Sequence, residues 1–249
     1  YVIANNHFFD GSGSYAIYVN ESRGGTISGN QIQECSLSTA INIAGSSASS
    51  ITQSVTISAN SIYDCTFMRG ISCNLFTSYP PNEEGALIIG NNIHDNSHNL
   101  SIVAIWAADN GTVVNGNQIC DLECTGTEPV TGITSSFTGG TVTGNVIRNL
   151  KGSRSVMGIE NAGCNVLNSN AIDFTVASSY SVWGIYNHNY GVTDGLVITG
   201  NRIRVSNTVS GTGYAFYVDM ANGCAIANSW LGSEAMGTLN LGQVFHNDG

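Results

Sequence analysis

Ile27-Ser28-Gly29-Asn30-Gln31-Ile32 is one copy of a six-residue motif that recurs along the whole chain. In the clearest copies an apolar residue is followed by any residue, a small residue, asparagine, any residue and a second apolar residue. The asparagine position of nine successive copies falls at the following residues: Asn6, Asn30, Asn60, Asn91, Asn117, Asn145, Asn170, Asn201 and, in a degenerate last copy, Ser229. Neighbouring positions are 24 to 31 residues apart, and a short motif that returns at such a period is the signature of a solenoid.

The two apolar residues of each motif, Ile27 and Ile32 in this copy, are five positions apart. A straight strand would place them on opposite faces. A turn at Gly29-Asn30 returns both to one side, and glycine and asparagine tolerate the left-handed backbone that a sharp turn needs. The motif therefore predicts strand, corner, strand. A series of β-hairpins is the alternative, but hairpins predict alternating long and short spacings, so a coil fits the single period better.

A second repeated feature is a small residue followed by an apolar one, once per period. These pairs are Ala16-Ile17, Ala40-Ile41, Gly70-Ile71, Ala104-Ile105, Gly132-Ile133, Gly158-Ile159, Gly184-Ile185 and Ala215-Phe216. Each repeat is therefore predicted to contain three short strands and three corners, with successive turns of chain stacked about 4.8 Å apart.

The small-apolar strand, the I-x-G-N-x-I corner and their order resemble the repeats of the pectate-lyase-like superfamily, which includes polygalacturonases and many phage tailspikes. The resemblance covers essentially the whole chain. It implies an all-β fold: a single-stranded right-handed parallel β-helix of about nine coils, with three short strands per coil. It also implies a polysaccharide partner, a homotrimer and an extracellular or virion-surface location. We expect residues 1–249 to form one β-helix domain, the fragment or core of a longer chain.

In stacked coils, the motif asparagines are expected to form a ladder in which their amides bond to each other and to neighbouring backbone. The predicted ladder residues are Asn30, Asn60, Asn91, Asn117, Asn145, Asn170 and Asn201. We expect this ladder to be structural and to take no part in chemistry.

The net charge is −10, with only seven Lys and Arg residues. This balance disfavours nucleic acid and anionic membranes, because phosphate binding needs clustered cations. A strongly anionic polysaccharide would be repelled overall, although a local cationic spot would still allow binding. No apolar run is long enough to span a membrane, and we predict no cofactor.

Two further columns each leave a choice open. Polar residues lie four positions after five successive motif asparagines, namely Glu34, Asp64, Asp95, Asp121 and Asn149. A structural calcium site is one interpretation, and support of the turn backbone is the favoured one.

Cys35 and Cys65 lie at equivalent positions of neighbouring repeats, so they form either a disulfide or, as we favour, two buried thiols. The ligand spacing for zinc is absent, and no metal site is predicted.

The candidate binding face is the outward side of the small-apolar strands, because residues one and three positions after the inward Ile point outward. The second half of the chain places large polar and aromatic residues there. The predicted sugar-binding residues are Trp106, Trp183, Tyr217 and, in a longer loop, Tyr190; the predicted catalytic residues are Glu160, Tyr186, His188, Asp219 and Asp109. A subunit interface and a scattered surface distribution are the alternatives.

Two chemistries are compatible with this set. His188 and Asp219 are predicted neighbours on adjacent coils, and with Tyr186 they would form an acid/base group of the kind polysaccharide lyases use. Such a lyase must also neutralise a uronate, for which Arg154 and Arg204 are the candidate cations. Hydrolysis instead needs two carboxyl groups about 5 to 9.5 Å apart. Glu160 and Asp219 are the predicted pair, with Asp109 as a third candidate. The rival class is a non-catalytic shaft, adhesin or binding module.

Overall fold

The computed structural model describes residues 1–20, 24–45, 55–75, 85–136, 139–178, 180–187, 196–208, 213–218, 225–227 and 230–232. The chain is all β and coils as a right-handed parallel solenoid with three strands per turn, as the sequence predicts. Two sheets contain nine described strands each and the third contains eight. All the strand pairings within them are parallel.

Sheet I is formed by the strands that precede the Gly-Asn corner. Its strands are Val2–Ala4, Gly25–Ser28, Val55–Ser58, Leu87–Ile89, Val113–Asn115, Thr141–Thr143, Val166–Asn168, Val197–Thr199 and Ala225–Ala227. Sheet II follows the corner. Its strands are His7–Phe9, Gln31–Gln33, Ser61–Tyr63, Asn92–His98, Gln118–Cys124, Val146–Arg148, Ala171–Val176, Arg202–Asn207 and Trp230–Gly232.

Sheet III carries the small-apolar pairs. Its strands are Ser12–Asn20, Ser36–Gly45, Arg69–Leu75, Ile102–Ala107, Val130–Ser135, Val156–Asn161, Val182–Asn187 and Gly213–Val218. The core lies between the three sheets and is filled by stacked aliphatic side chains. Ile27 of sheet I, Ile32 of sheet II and Ile41 of sheet III are all fully buried, and each burial contributes about 1.5–3 kcal/mol.

The corner between sheets I and II has left-handed backbone at the residue before the asparagine. Gly29 has φ 64° and Gly144 has φ 65°, and even Ala59 adopts φ 53° at this position. Glycine occupies most of these positions because it adopts positive φ without steric cost. The glycine position therefore forms the bend, and the asparagine is available for hydrogen bonding.

The asparagine ladder is present as predicted. The Oδ1 of Asn60 accepts from the backbone N–H of Asn30 at 3.0 Å and from its Nδ2 at 2.9 Å. The same pair of bonds joins each successive asparagine from Asn6 to Asn201. Buried backbone donors at the corner are thereby satisfied, as burial requires.

The polar column four residues after the asparagines has one backbone conformation throughout. Its φ angles are 53° at Glu34, 54° at Asp64, Asp95 and Asp121, and 51° at Asn149. Asp and Asn are the side-chain-bearing residues that tolerate this left-handed region best. The turn backbone therefore explains the residue types at four of the five positions without calcium, and Glu34 is the exception.

Cys35 and Cys65 are free buried thiols, as favoured from the sequence. The backbone N–H of Cys35 donates to the Cys65 sulfur at 3.4 Å, and the backbone N–H of Cys65 donates to Asn96 Oδ1 at 2.9 Å. Cysteine and asparagine thus fill the same acceptor position on successive coils. Burial, as the largest cause, raises the pKa of Cys65 to about 11.

Candidate functional site

The outer face of sheet III presents two columns of side chains. In the strand Ile102–Ala107, Ala104 and Ile105 are both fully buried, whereas Val103 and Trp106 are partly exposed. Two consecutive inward residues break the usual alternation of a strand. Consequently Val103, before the small-apolar pair of this strand, and Trp106, after it, both face outward.

The column after the pair contains the predicted residues in register. Its members, in the order of the paired strands, are Tyr18, Asn42, Ser72, Trp106, Thr134, Glu160, Tyr186 and Tyr217. The column before the pair, which alternation alone did not predict, is also in register. Its members are Tyr15, Thr39, Arg69, Val103, Thr131, Met157, Trp183 and Tyr214.

Small residues are needed in the pair because neighbouring coils approach closely there. A Cβ at Gly132 would lie 2.6 Å from the carbonyl oxygen of Gly158, and a Cβ at Gly158 would lie 2.6 Å from that of Gly184. Such distances are well inside van der Waals contact. Gly132, Gly158 and Gly184, which are stacked on neighbouring coils, therefore allow the strands that carry Glu160 and Tyr186 to lie at this close spacing.

Four aromatic residues from the two columns form a cluster that we name the aromatic platform: Trp183, Tyr186, Tyr214 and Tyr217. The ring centroids of Trp183 and Tyr186 are 4.9 Å apart, and those of Tyr186 and Tyr217 are 5.0 Å apart. Trp183 and Tyr214 lie 6.2 Å apart with planes only 10° from parallel. All four side chains are half-buried. Contacts at these separations are worth about 0.5–1.5 kcal/mol per pair, so the platform is pre-organised.

The platform carries a buried indole donor. The Nε1 of Trp183 is shielded from solvent and has no hydrogen-bond partner among the described residues. An unsatisfied donor of this kind costs about 1–3 kcal/mol.

Glu160 lies beside the platform, in register with Tyr186 on the next strand. Thr134, on the preceding strand, donates its hydroxyl to Glu160 Oε2 at 3.0 Å. The side chain is half-buried, so a carboxylate is held next to aromatic rings. Beneath it, Ser135, Asn161 and Asn187 form a second buried ladder, with Ser135 Oγ to Asn161 Oδ1 at 2.7 Å and Asn161 Nδ2 to Asn187 Oδ1 at 2.6 Å.

Trp106 is placed outward as predicted, but its ring is covered. The guanidinium carbon of Arg69 lies 3.6 Å from the Trp106 ring centroid, a cation–π contact. Burial lowers the pKa of Arg69, and the charge of Tyr15 opposes this effect. The Trp106 face under Arg69 is therefore not open to a sugar, which argues against the predicted stacking role at that face.

Asp109 is not on the outer face of sheet III. It is 4 % exposed and lies beyond the end of the strand, where its backbone carbonyl accepts from the Thr112 N–H. Burial raises the pKa of Cys73 well above its usual value, and the negative charge of Asp109 adds to this. Asp109 is therefore an interior residue beside Cys73, which does not support its predicted catalytic role.

Three predicted residues, His188, Tyr190 and Asp219, lie outside the described residues. The two candidate cations are each paired with a carboxylate. Arg154 pairs with Glu128 at 3.2 Å, and Arg204 of sheet II pairs with Asp173 at 2.7 Å. Uronate neutralisation by either arginine would therefore compete with an existing ion pair.

Within the described ranges, no group of three or more His, Cys, Asp or Glu residues is arranged to hold a metal ion. The same part of the chain contains no helix with the length and apolarity needed for a bilayer crossing.

Comparison of the chain with protein-family models, with curated proteins and with solved structures found no match.

Proposed function

We propose that this protein is a carbohydrate-binding parallel β-helix that holds a polysaccharide on the outer face of sheet III. The single observation that carries the proposal is the aromatic platform, whose rings lie 4.9 to 6.2 Å apart on two adjacent strands with Glu160 next to them. The C–H face of a sugar ring stacks on aromatic rings, and its hydroxyl groups donate to a carboxylate. The resemblance of the repeats to pectate-lyase-like proteins supports the same ligand class.

Trp183 contributes the largest ring of the platform. Its ring centroid lies 4.9 Å from that of Tyr186 and 6.2 Å from that of Tyr214. Removal of the indole therefore deletes stacking area for the sugar and both of these aromatic contacts. Trp183 is the platform residue on which affinity is expected to depend most.

We also propose that the protein cleaves the bound polysaccharide. Glu160 is the candidate general acid or base, because its carboxyl group is fixed by Thr134 beside Tyr186. Hydrolysis needs a second carboxyl group and elimination needs a base. The sequence assigns these roles to Asp219 and His188, whereas Asp109 is buried.

The rival function for the platform is a contact between subunits, as a homotrimer would require. Exposed aromatic residues on one strip suit such an interface as well. The platform is small, since it comprises four residues on two strands, whereas stable interfaces involve about 20–30 residues on each side. The limited extent favours a ligand site.

The test is a binding screen of the 249-residue chain against neutral and acidic polysaccharides by affinity electrophoresis and calorimetry. Trp183→Ala is expected to weaken binding at least about tenfold, whereas Tyr18→Ala, which removes an exposed aromatic at the far end of the column that contains Tyr186 and Tyr217, leaves it unchanged. Equal losses of binding in the two variants would contradict the proposal. The absence of any polysaccharide binding, together with a change in the sedimentation mass of the protein in Trp183→Ala, would instead assign the platform to a subunit contact. Reducing-end release and absorbance by unsaturated products, compared between wild type and Glu160→Gln, test cleavage separately.

A further inference from the structure

A second surface, on sheet II, is the most cationic region among the described residues. Arg148, Asp173 and Arg204 are aligned in register on three successive strands. Two residues earlier on the same strands, Val146, Ala171 and Arg202 form a parallel column. The two columns lie on the same face of the sheet, because their members are two residues apart along each strand.

Ala171 creates a notch in this array. Its side chain is small, and it lies between the longer side chains of Val146 and Arg202. The resulting open cleft of about 190 Å³ is lined by Val146, Arg148, Ala171, Ile172, Asp173 and Arg202. We name this cleft the arginine notch. Arg148 and Arg202 stand on opposite sides of it, two strands apart.

The charge of the notch opposes that of the chain. The lining residues Arg148, Arg202 and Asp173 sum to 2 − 1 = +1, and Arg204, which pairs with Asp173, brings the group to +2, whereas the whole chain carries −10 with seven Lys and Arg residues. The carboxylate of Asp173 is already held by a bidentate contact from Arg204, with Nε to Oδ1 at 2.9 Å and Nη2 to Oδ2 at 2.7 Å. Arg148 is exposed and forms no ion pair with any residue that the structure describes.

We propose that the arginine notch binds the carboxylate group of a small organic acid or sugar acid. A guanidinium matches the planar geometry of a carboxylate through two parallel N–H bonds, as Arg204 already does with Asp173. The notch accepts a single protruding group, and the negative charge of the rest of the chain repels a long polyanion. The ligand is therefore expected to carry one accessible carboxylate.

This site does not depend on the proposed function of the platform, because it lies on a different sheet. The two proposals fail independently: Trp183→Ala is expected to leave carboxylate binding unchanged, and a loss of polysaccharide binding says nothing about the notch.

The experiment measures binding of glucuronate, of acetate and of glucose to the full chain at low salt by calorimetry and by ¹H–¹⁵N NMR. Glucuronate differs from glucose only by its acid group, and acetate carries that group without a sugar. Glucuronate is expected to bind and glucose is not. Acetate binding of similar affinity identifies a general carboxylate site, and acetate binding that is much weaker identifies a sugar-acid site.

Three variants locate the binding. Arg148→Ala is expected to weaken glucuronate binding about tenfold, and Ala171→Leu fills the notch without changing any charge and is expected to abolish it. Arg154→Ala removes an exposed arginine that is paired with Glu128 outside the notch and serves as the matched control. Circular dichroism confirms that each variant is folded.

Three outcomes overturn the proposal. They are glucose binding as tight as glucuronate binding, a loss of binding in Arg154→Ala as large as that in Arg148→Ala, and intact binding in Ala171→Leu. A salt-sensitive self-association of the chain that Arg148→Ala abolishes, with no glucuronate binding, assigns the notch to a second copy instead.

Discussion

Asn117 Oδ1 accepts two hydrogen bonds from Asn91, one from the backbone N–H and one from Nδ2, both at 2.9 Å. Asn117 in turn donates through Nδ2 to Asn145 Oδ1 at 3.0 Å and to the Ile88 carbonyl at 2.9 Å. A single buried amide therefore connects three successive coils.

Asn117→Ala is expected to lower the free energy of unfolding by at least about 2 kcal/mol, because it leaves the buried N–H of Asn91 without an acceptor. Asn6→Ala is the matched control at the exposed end of the ladder, where Asn6 donates to Asn30, and its expected loss is about 0.5 kcal/mol. Urea unfolding midpoints measure both. Similar losses for the two variants would contradict an energetic role for the buried ladder.

Gly158→Ala is expected to destabilise the fold by about 1–3 kcal/mol through overpacking. The new Cβ would lie 2.6 Å from the Gly184 carbonyl oxygen and 2.7 Å from Ile172 Cγ2. Gly213→Ala is the control, because its nearest atoms, Asn207 N and Val205 O, are both 4.0 Å away, and its effect is expected within about 0.5 kcal/mol. Thermal melts compare the two, and a larger shift for Gly213→Ala is the result that disproves the close-approach explanation.

Cys120 is expected to react slowly with iodoacetamide near neutral pH, because its pKa is raised from 9.0 to about 11 by burial and then by the hydrogen bond and charge of Asp121. Arg148 lowers the same pKa. Asp121→Asn is therefore expected to speed alkylation, and Arg148→Ala to slow it. Mass spectrometry of the Cys120 peptide over a pH series measures the rates, and opposite signs would show that these neighbours do not control the thiol.

The same shift has a consequence for stability. The folded-state pKa of Cys120, about 11, is above the value of 9.0 for an ordinary thiol. The protonated thiol therefore contributes fully to folded stability below pH 9, and this contribution is lost as the pH rises from 9.0 towards 11. Cys120→Ala is expected to reduce the loss of stability over this interval.

The fold was accessible from the sequence because the motif fixes the register. One asparagine per coil aligns every strand with its neighbours, so the pairing of Glu160 with Tyr186 followed from counting residues. The column of Trp106 and Tyr217 followed in the same way. Periodicity therefore predicts which residues are neighbours along the solenoid.

Side-chain direction was less accessible, for two physical reasons. Ala104 and Ile105 both face inward, so alternation did not place Arg69 or Tyr214 on the outer face. Asp109 lies past the strand end, where alternation no longer applies, and it is buried. A sequence signal for the missed column does exist: it is the residue that directly precedes each small-apolar pair.

Because two consecutive residues of each sheet III strand face inward, the outer surface of the sheet is a grid with two residues per coil, one before and one after the small-apolar pair. A substitution at an exposed member of either column, such as Tyr15 or Tyr18, changes what the surface presents without changing the packed interior, since the core is filled by other residues of the same strands. The aromatic, acidic and hydroxyl side chains of this surface can thus be substituted one at a time. Within each repeat, the residues that determine recognition are different from the residues that determine folding.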